Sequence, residues 1–313
     1  MSRGSGRSTR SATDDTLKSR LSELARRRRV GGGTASRTPV AATSGRAPAA
    51  TAAPDSSVRP DGGASPDVGE TLAVEAAAGV EAFLPGGEWR CEHGVVYVHE
   101  RLRSDVERRR TDWGRLGAAP DDEPELLALV ASGLERVLFL DLETGGLASS
   151  PVFLAGTMHW NGEDFVLRQY FARHYGEEAA LVRAVSEQAR GFETLVTFNG
   201  KSYDAPFLRG RSMVHGVTLE LPPRHFDLLH ASRRRWRHEL EDCRLQTLER
   251  HVCRRRRSGD VPSEEVPGLY HDFVRHGDPY RLVPVFHHNL LDVITMAEIL
   301  RALCAEPDPE RIH

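Results

Sequence analysis

Aromatic residues are confined to one part of this chain of 313 residues. All 21 of them lie between Phe83 and Phe286, whereas the first 82 residues are crowded with Ala, Ser, Thr, Gly, Pro and Arg. A segment without large apolar side chains cannot bury enough surface to offset the entropy that folding costs. We therefore expect one folded body of about 230 residues, preceded by a disordered tail.

Charge divides the chain near the same place. Residues 1–60 carry twelve Lys and Arg against four Asp and Glu, so the formal net charge of −3 leaves the remaining residues acidic. We expect residues 1–75 to form a disordered basic tail with a short helix over 14–29, which either docks a partner or nucleic acid or fluctuates in solvent. An acidic body argues against a protein that coats duplex DNA with its whole surface.

Cysteine usage and hydropathy exclude several classes of protein. The four cysteines form no Cys-x-x-Cys pair and the chain shows no export leader, so we expect a reduced, cytoplasmic setting. Cys243, His251 and Cys253 fit no closed set of four zinc ligands, which favours buried thiols over a zinc site. Since no apolar run approaches the roughly 18 residues that a membrane span needs, we expect no membrane insertion.

The most informative run of the sequence is 137–143. Its four apolar residues are typical of a strand that is buried on both faces, and Asp141 and Glu143 follow at the end of that strand. Side chains two residues apart on a strand share a face, so the two carboxylates project together. They repel each other unless one is protonated or a cation lies between them.

The neighbouring segments predict a sheet with mixed strand directions. Residues 152–160 and 163–172 are β-prone runs joined by Asn161-Gly162, a hairpin turn, and a helical pattern over 177–190 precedes a short strand at 195–198. We predict an α/β fold in which three antiparallel strands are followed by strands reached through helices. Residues 80–125 are expected to be a hairpin and linker that pack on a main domain at 130–305.

Two further carboxylates follow in the sequence. Asp204 comes after a strand and a tight turn, so it is either a helix-capping acid or a third carboxylate at a strand's carboxyl end. Asp292 lies on the apolar face of a helix over 285–300, where a charge is costly unless it is paired with an arginine, hydrogen-bonded or bound to a metal. His288 lies on the same side of that helix, whereas His287 is about 140° away.

An arginine-rich segment separates these two acids. Between Arg224 and Arg257 there are eleven arginines against five acids. Trp236 in this segment either offers a stacking platform on a cationic track for a single strand, or it packs inward beneath a solvated helix. Asp227 is expected to orient the segment and to lie outside the set of metal ligands.

The order of these motifs resembles that of the DEDD superfamily of 3′–5′ exonucleases, and the middle motif is similar to that of family B DNA polymerase proofreading domains. A closer resemblance, over residues 80–304, is to bacterial YprB-type ribonuclease H-like domain proteins. It is carried by Leu140-Asp-Leu-Glu-Thr-Gly-Gly-Leu147, Thr197-Phe-Asn-Gly-Lys-Ser-Tyr-Asp204, His225-Phe-Asp-Leu-Leu-His230, Cys243-Arg-Leu-Gln-Thr-Leu-Glu249 and His288-Asn-Leu-Leu-Asp292.

The resemblance implies a ribonuclease H-like fold and a metal-dependent 3′–5′ exonuclease acting on single-stranded DNA or RNA. Two Mg²⁺ or Mn²⁺ ions would be held by four carboxylates, those of Asp141, Glu143, Asp204 and Asp292. Asp141 would bridge both ions. The terminal nucleotide and its approach would be contacted by five residues, namely Thr144, Gly145, Leu147, Asn199 and Tyr203.

Relatives place either a tyrosine four residues before the last aspartate or a histidine five residues before it, and that residue positions the attacking water. Here His288 occupies the first slot and His287 the second. We favour His288, because helix geometry places it beside Asp292.

Two other functions stay open at this point. One is a non-catalytic nucleic-acid-binding module that kept the fold, and the other is a structure-specific endonuclease on the same scaffold. In every case the expected partner is nucleic acid and not a membrane. The basic tail is expected to strengthen binding without being needed for cleavage.

Overall fold

A mixed sheet is the centre of the computed structural model, which describes residues 79–107, 113–114, 116–147, 149–257 and 259–305. These residues belong to a unit spanning Thr71–His313. Among them the sheet has seven strands: β1 (Gly86–Cys91), β2 (Gly94–Leu102), β3 (Val137–Thr144), β4 (Val152–Trp160), β5 (Phe165–Phe171), β6 (Thr194–Thr197) and β7 (Arg224–Asp227). The predicted tail over 1–75, with its helix over 14–29, lies outside the described residues.

The spatial order of the strands is β1-β2-β5-β4-β3-β6-β7. Strands β3, β4 and β5 pair antiparallel, while β6 pairs parallel to β3 and β7 parallel to β6. The hairpin of β1 and β2 extends the sheet through antiparallel pairing of β2 with β5. The α/β prediction, with three antiparallel strands followed by strands reached through helices, is therefore confirmed.

Eight α-helices are present in the described part of the chain: α1 (Arg103–Val106), α2 (Pro124–Ser132), α3 (Glu178–Ala189), α4 (Asp204–His215), α5 (Leu228–Trp236), α6 (Leu245–His251), α7 (Val266–His276) and α8 (Val283–Leu303). Short 3-10 turns occur at Val80–Ala82, Leu134–Arg136, Tyr175–Glu177 and Pro279–Leu282. No described helix is long and apolar enough to cross a membrane.

Helices cover both faces of the sheet, which explains the uninterrupted apolar run at the start of β3. Leu138 and Leu140 belong to the core that contains Leu181 of α3. Val137 and Phe139 belong to the opposite core, which contains Ile294 of α8. Because alternate side chains of a strand share a face, the residues that continue the Phe139 side of β3 point towards α8.

The cysteines behave as the buried thiols that the spacing favoured. Cys243, Cys253 and Cys304 are buried and Cys91 is half-buried, and none of the four forms a disulfide. In the part of the chain that the structure describes, no group of three His, Cys, Asp or Glu side chains is arranged to hold a metal ion. A preformed zinc site is therefore absent from those residues.

Candidate active site

Asp141 and Glu143 follow Phe139 on the face of β3 that is turned towards α8. Both are half-buried. Directly after them the chain leaves the sheet through a loop that closes on itself, since Gly145 N donates to Pro151 O at 2.8 Å and Ser150 N donates to Leu147 O at 2.7 Å. The strand therefore ends at the point where the two carboxylates project.

Asp204 reaches the same place from the neighbouring strand. It is the first residue of α4, and its Oδ1 accepts a hydrogen bond of 3.1 Å from Leu142 N on β3. The N-cap position belongs to Tyr203. The carboxylate of Asp204 thus bonds to the strand that carries Asp141 and Glu143, which departs from the helix-capping alternative.

The conformation of the loop before Asp204 depends on its own residues Asn199 and Gly200 and on hydrogen bonds to Asp227. Asn199 has a positive φ of 64°, and a Cβ at Gly200 would lie 2.8 Å from Asp204 Oδ2, so a larger residue there would crowd the carboxylate. Asp227 accepts hydrogen bonds from Asn199 N at 2.8 Å and Lys201 N at 2.9 Å, and its side chain also caps α5. Asp227 therefore positions the loop, as an orienting residue outside the carboxylate cluster.

Asp292 of α8 is buried and already has a cationic partner. The guanidinium of Arg257 contacts Asp292 Oδ1, and His288 Nε2 lies 3.4 Å from Asp292 Oδ2. The arginine pairing that the sequence left open for Asp292 is thus present. Asp260 completes the group, because its Oδ1 lies 2.7 Å from His288 Nδ1.

The four carboxylates perturb one another's ionisation. Removal from solvent, followed by the charges of Asp292 and Glu143, raises the pKa of Asp141 well above its ordinary value. Burial, followed by the charges of Asp292, Asp204 and Asp260, raises the pKa of Glu143 well above its ordinary value. Burial also raises the pKa of Asp204 to about 7. These three carboxyl groups therefore keep their protons to a higher pH than carboxyl groups in solvent do.

Clustered carboxylate oxygens are ligands that suit Mg²⁺ and Mn²⁺. Among the described residues, no three His, Cys, Asp or Glu side chains are already arranged as a metal site. Arg257 engages Asp292, and Asn289 Nδ2 donates to Asp141 Oδ2 at 2.8 Å. The donor set fits divalent cations, provided that Asp292 exchanges its arginine for the ion.

Three of the four carboxylates open into one cleft of about 1170 Å³. Four of the five predicted nucleotide contacts line it as well: Thr144, Leu147, Asn199 and Tyr203. Gly145, Glu143 and His288 are not among the lining residues. The carbonyl oxygen of Gly145 instead lies 2.8 Å from His271 Nε2. The structure thus brings most of the predicted site together around a single opening.

The two histidines differ in their surroundings. His288 is buried between Asp260 and Asp292, as its helical spacing predicted, whereas His287 is exposed. Asp260 had no signal in the sequence, because it lies in an irregular segment 28 residues before His288. The position of His288 beside Asp292 agrees with the preference for it over His287.

The idea of Trp236 as a stacking platform is wrong. Trp236 is only 4% exposed and packs in the core that contains Leu248 and Leu290. The indole is a large apolar group, so its burial in the core is favourable. Most of the arginines beside it in the sequence remain exposed.

The arginine run at 254–257 is also divided between two environments. Arg255 Nη2 lies 2.5 Å from Glu107 Oε1 and 3.0 Å from Glu298 Oε1, and Arg257 Nε lies 2.5 Å from Glu249 Oε2. These two arginines neutralise buried acids and are withdrawn from any track on the surface. Arg254 and Arg256 are exposed.

Comparison with known proteins gives three findings. A family model described as RNase_H superfamily matches residues 138–304, more than half of the chain. The Uncharacterized protein YprB of Bacillus subtilis (strain 168) is 30% identical over 201 residues, which are 63% of this chain and 47% of that protein. The structure of the family B DNA polymerase from the hyperthermophilic archaeon Pyrobaculum calidifontis aligns at 16% identity with a TM-score of 0.43, over 54% of this chain and 27% of the polymerase. The chain therefore spans less than half the length of either protein.

Proposed function

The chain belongs to the RNase_H superfamily, and from this premise we propose that it is a metal-dependent nuclease that hydrolyses single-stranded DNA or RNA from the 3′ end. The observation that carries the proposal is the convergence of Asp141, Asp204 and Asp292 in one cleft. Their pKa values are raised by burial and, for each, by other acidic charges nearby. Such a cluster is a poor structural element on its own, because burying several acids together is costly.

The walls of the cleft favour a single strand as substrate. Leu147 is 88% exposed and Tyr203 is 68% exposed, and both line the cleft that holds the carboxylates. Exposed aromatic and apolar side chains can stack on bases only when the bases are not paired in a duplex. Arg233 and Arg244 line the same cleft and offer cations for the phosphate backbone.

The proposed cofactor is a pair of Mg²⁺ or Mn²⁺ ions, held by Asp141, Glu143, Asp204 and Asp292. When bound, these ions would stabilise charge on the phosphoryl oxygens and lower the pKa of water. Asp204 is fixed for this role by the hydrogen bond from Leu142 N. Asp292, which contacts Arg257 in the structure, would complete the set.

His288 is proposed to receive a proton from the attacking water. The Nδ1 atom of His288 is engaged by Asp260. The proton from water would therefore be accepted by Nε2, the nitrogen that faces Asp292. A neutral histidine has only one such acceptor nitrogen, and the Asp260 contact decides which one it is. The burial of His288 beside Asp292, while His287 is exposed, supports His288 for this role.

The test is an assay on linear DNA and RNA single strands that carry a label at the 5′ end. We expect wild-type protein with Mg²⁺ or Mn²⁺ to shorten the strands stepwise. EDTA should stop this cleavage. Asp141→Asn retains the size of the side chain and removes its charge, so it should abolish cleavage. Strands that stay intact with Mn²⁺, or equal cleavage by wild type and Asp141→Asn, would overturn the proposal. Cleavage of circular single strands would instead identify an endonuclease.

One observation favours a second candidate function, a non-catalytic nucleic-acid-binding module. Arg257 contacts Asp292 Oδ1, so one carboxylate of the cluster has a cationic partner from the chain itself. In that case strands would bind with the same affinity in Mg²⁺ and in EDTA, and they would not be cut. Deletion of residues 1–70 should weaken strand binding in either case and, in an active nuclease, should leave turnover at saturating substrate unchanged.

A further inference from the structure

One rung of the central sheet carries three unusual residues side by side. Asp141 of β3 pairs with Gly156 of β4, and Gly156 pairs in turn with Gln169 of β5. Side chains at directly paired positions point to the same face of a sheet. Asp141 and Gln169 therefore lie on one face, with a position between them that has no side chain.

Asn289 of α8 fills that position. It is fully buried, and a Cβ at Gly156 would lie only 2.2 Å from Asn289 Oδ1. Any residue larger than glycine on the middle strand would thus displace the asparagine. A glycine within a strand often marks such a close approach of another group.

The orientation of the Asn289 amide is dictated by a chain of hydrogen bonds. The carbonyl of Phe286 can only accept, so Gln169 must present Nε2 to it, at 2.8 Å. The same Nε2 donates to Asn289 Oδ1 at 3.0 Å. Asn289 is left with its Nδ2 facing Asp141, where it donates to Oδ2 at 2.8 Å and to the backbone carbonyl at 3.3 Å.

We infer that Asn289 is a positioning residue for Asp141, with its amide aligned by Gln169 and accommodated by Gly156. It fixes the rotation of the Asp141 carboxylate and ties the helix that carries Asp292 to the strand that carries Asp141. This inference rests on the proposed function. A residue that only filled the core would need no donor towards Asp141, and Leu would serve equally well.

Asn289→Leu tests the inference, because leucine keeps the branched shape of the side chain and removes all three of its hydrogen bonds. We expect kcat to fall about 10–100-fold, with the KM for a single strand within about threefold, and Mn²⁺ affinity of the metal-free protein to fall in the same range. The control is Thr295→Val, a fully buried polar position on the same helix whose hydroxyl lies 3.4 Å from Arg255 Nη1. It should leave kcat and Mn²⁺ affinity near the wild-type values.

Gly156→Ala provides a second route that leaves Asn289 in the chain and pushes its amide out of place. Both variants should show the same loss of kcat and of Mn²⁺ affinity while their thermal transitions stay cooperative. If wild-type protein is active and either folded variant keeps wild-type kcat and Mn²⁺ affinity, the positioning role is wrong and the proposed function stands. Wild-type protein that neither cuts strands nor binds Mn²⁺ overturns the proposed function, and the positioning role fails with it.

Discussion

Arg257 is the cation on which the acidic cluster depends when no metal is bound. Its side chain is 6% exposed and contacts Glu249, which is 2% exposed, and Asp292, while its Nη1 lies 3.5 Å from Asp260 Oδ2. In Arg257→Gln these carboxylates stay buried and lose their shared positive charge. Removing one partner of a buried ion pair costs about 3–5 kcal/mol. For a folded body of this size each kcal/mol corresponds to about 2–4 °C, so we expect Tm to fall by about 6–20 °C.

The assay is thermal unfolding of the metal-free protein, followed by circular dichroism with and without Mn²⁺. Mn²⁺ should restore much of the lost Tm in Arg257→Gln, because the ion replaces the missing cation and Asp292 no longer has to leave an arginine. The matched control is Arg256→Gln, an exposed neighbour that should change Tm by less than about 2 °C. A Tm of Arg257→Gln equal to that of Arg256→Gln would show that Arg257 does not stabilise the buried carboxylates.

Three further predictions concern the cleft and the core. Tyr203→Ala should raise the KM for single strands about 5–150-fold through lost stacking, with Tm unchanged, whereas Met213→Ala, also exposed on α4, should not change KM. Trp236→Ala should lower stability by about 3–5 kcal/mol in urea unfolding and leave the strand affinity of the folded protein unchanged. The pKa of Asp204 is raised to about 7 in the folded state, so the folded protein retains a proton that the unfolded chain releases near pH 4. Metal-free stability should therefore fall as pH rises from 4 to 7, and Asp204→Asn should reduce that slope; an unchanged slope would contradict the shift.

The parts of the fold that follow from local pattern were predictable from the sequence. The apolar run before Asp141 indicated a strand buried on both faces, and β3 has cores on both sides. Asp204 could be placed near it because carboxyl ends of neighbouring parallel strands meet at one edge of a sheet, and β6 pairs parallel to β3. Asp292 followed from the cost of a carboxylate on an apolar helix face.

The parts that depend on irregular segments were not predictable. Arg257 belongs to a run that reads as a surface track, and only the path of the chain after α6 turns it towards Asp292. Asn289 was visible only as a member of a motif, since its role needs the register that sets Gly156 opposite Asp141. A one-residue change in that register would place the whole strand's side chains on the other face.

Calorimetric titration of Mn²⁺ into the metal-free full-length protein measures whether the carboxylate cluster binds divalent cations. We predict saturable uptake by wild-type protein at pH 8, where Asp204 is ionised, and a loss of more than about tenfold in affinity in Asp141→Asn. No saturable uptake by the wild-type protein, or equal uptake by both proteins, would show that the carboxylate cluster is not a binding site for divalent cations.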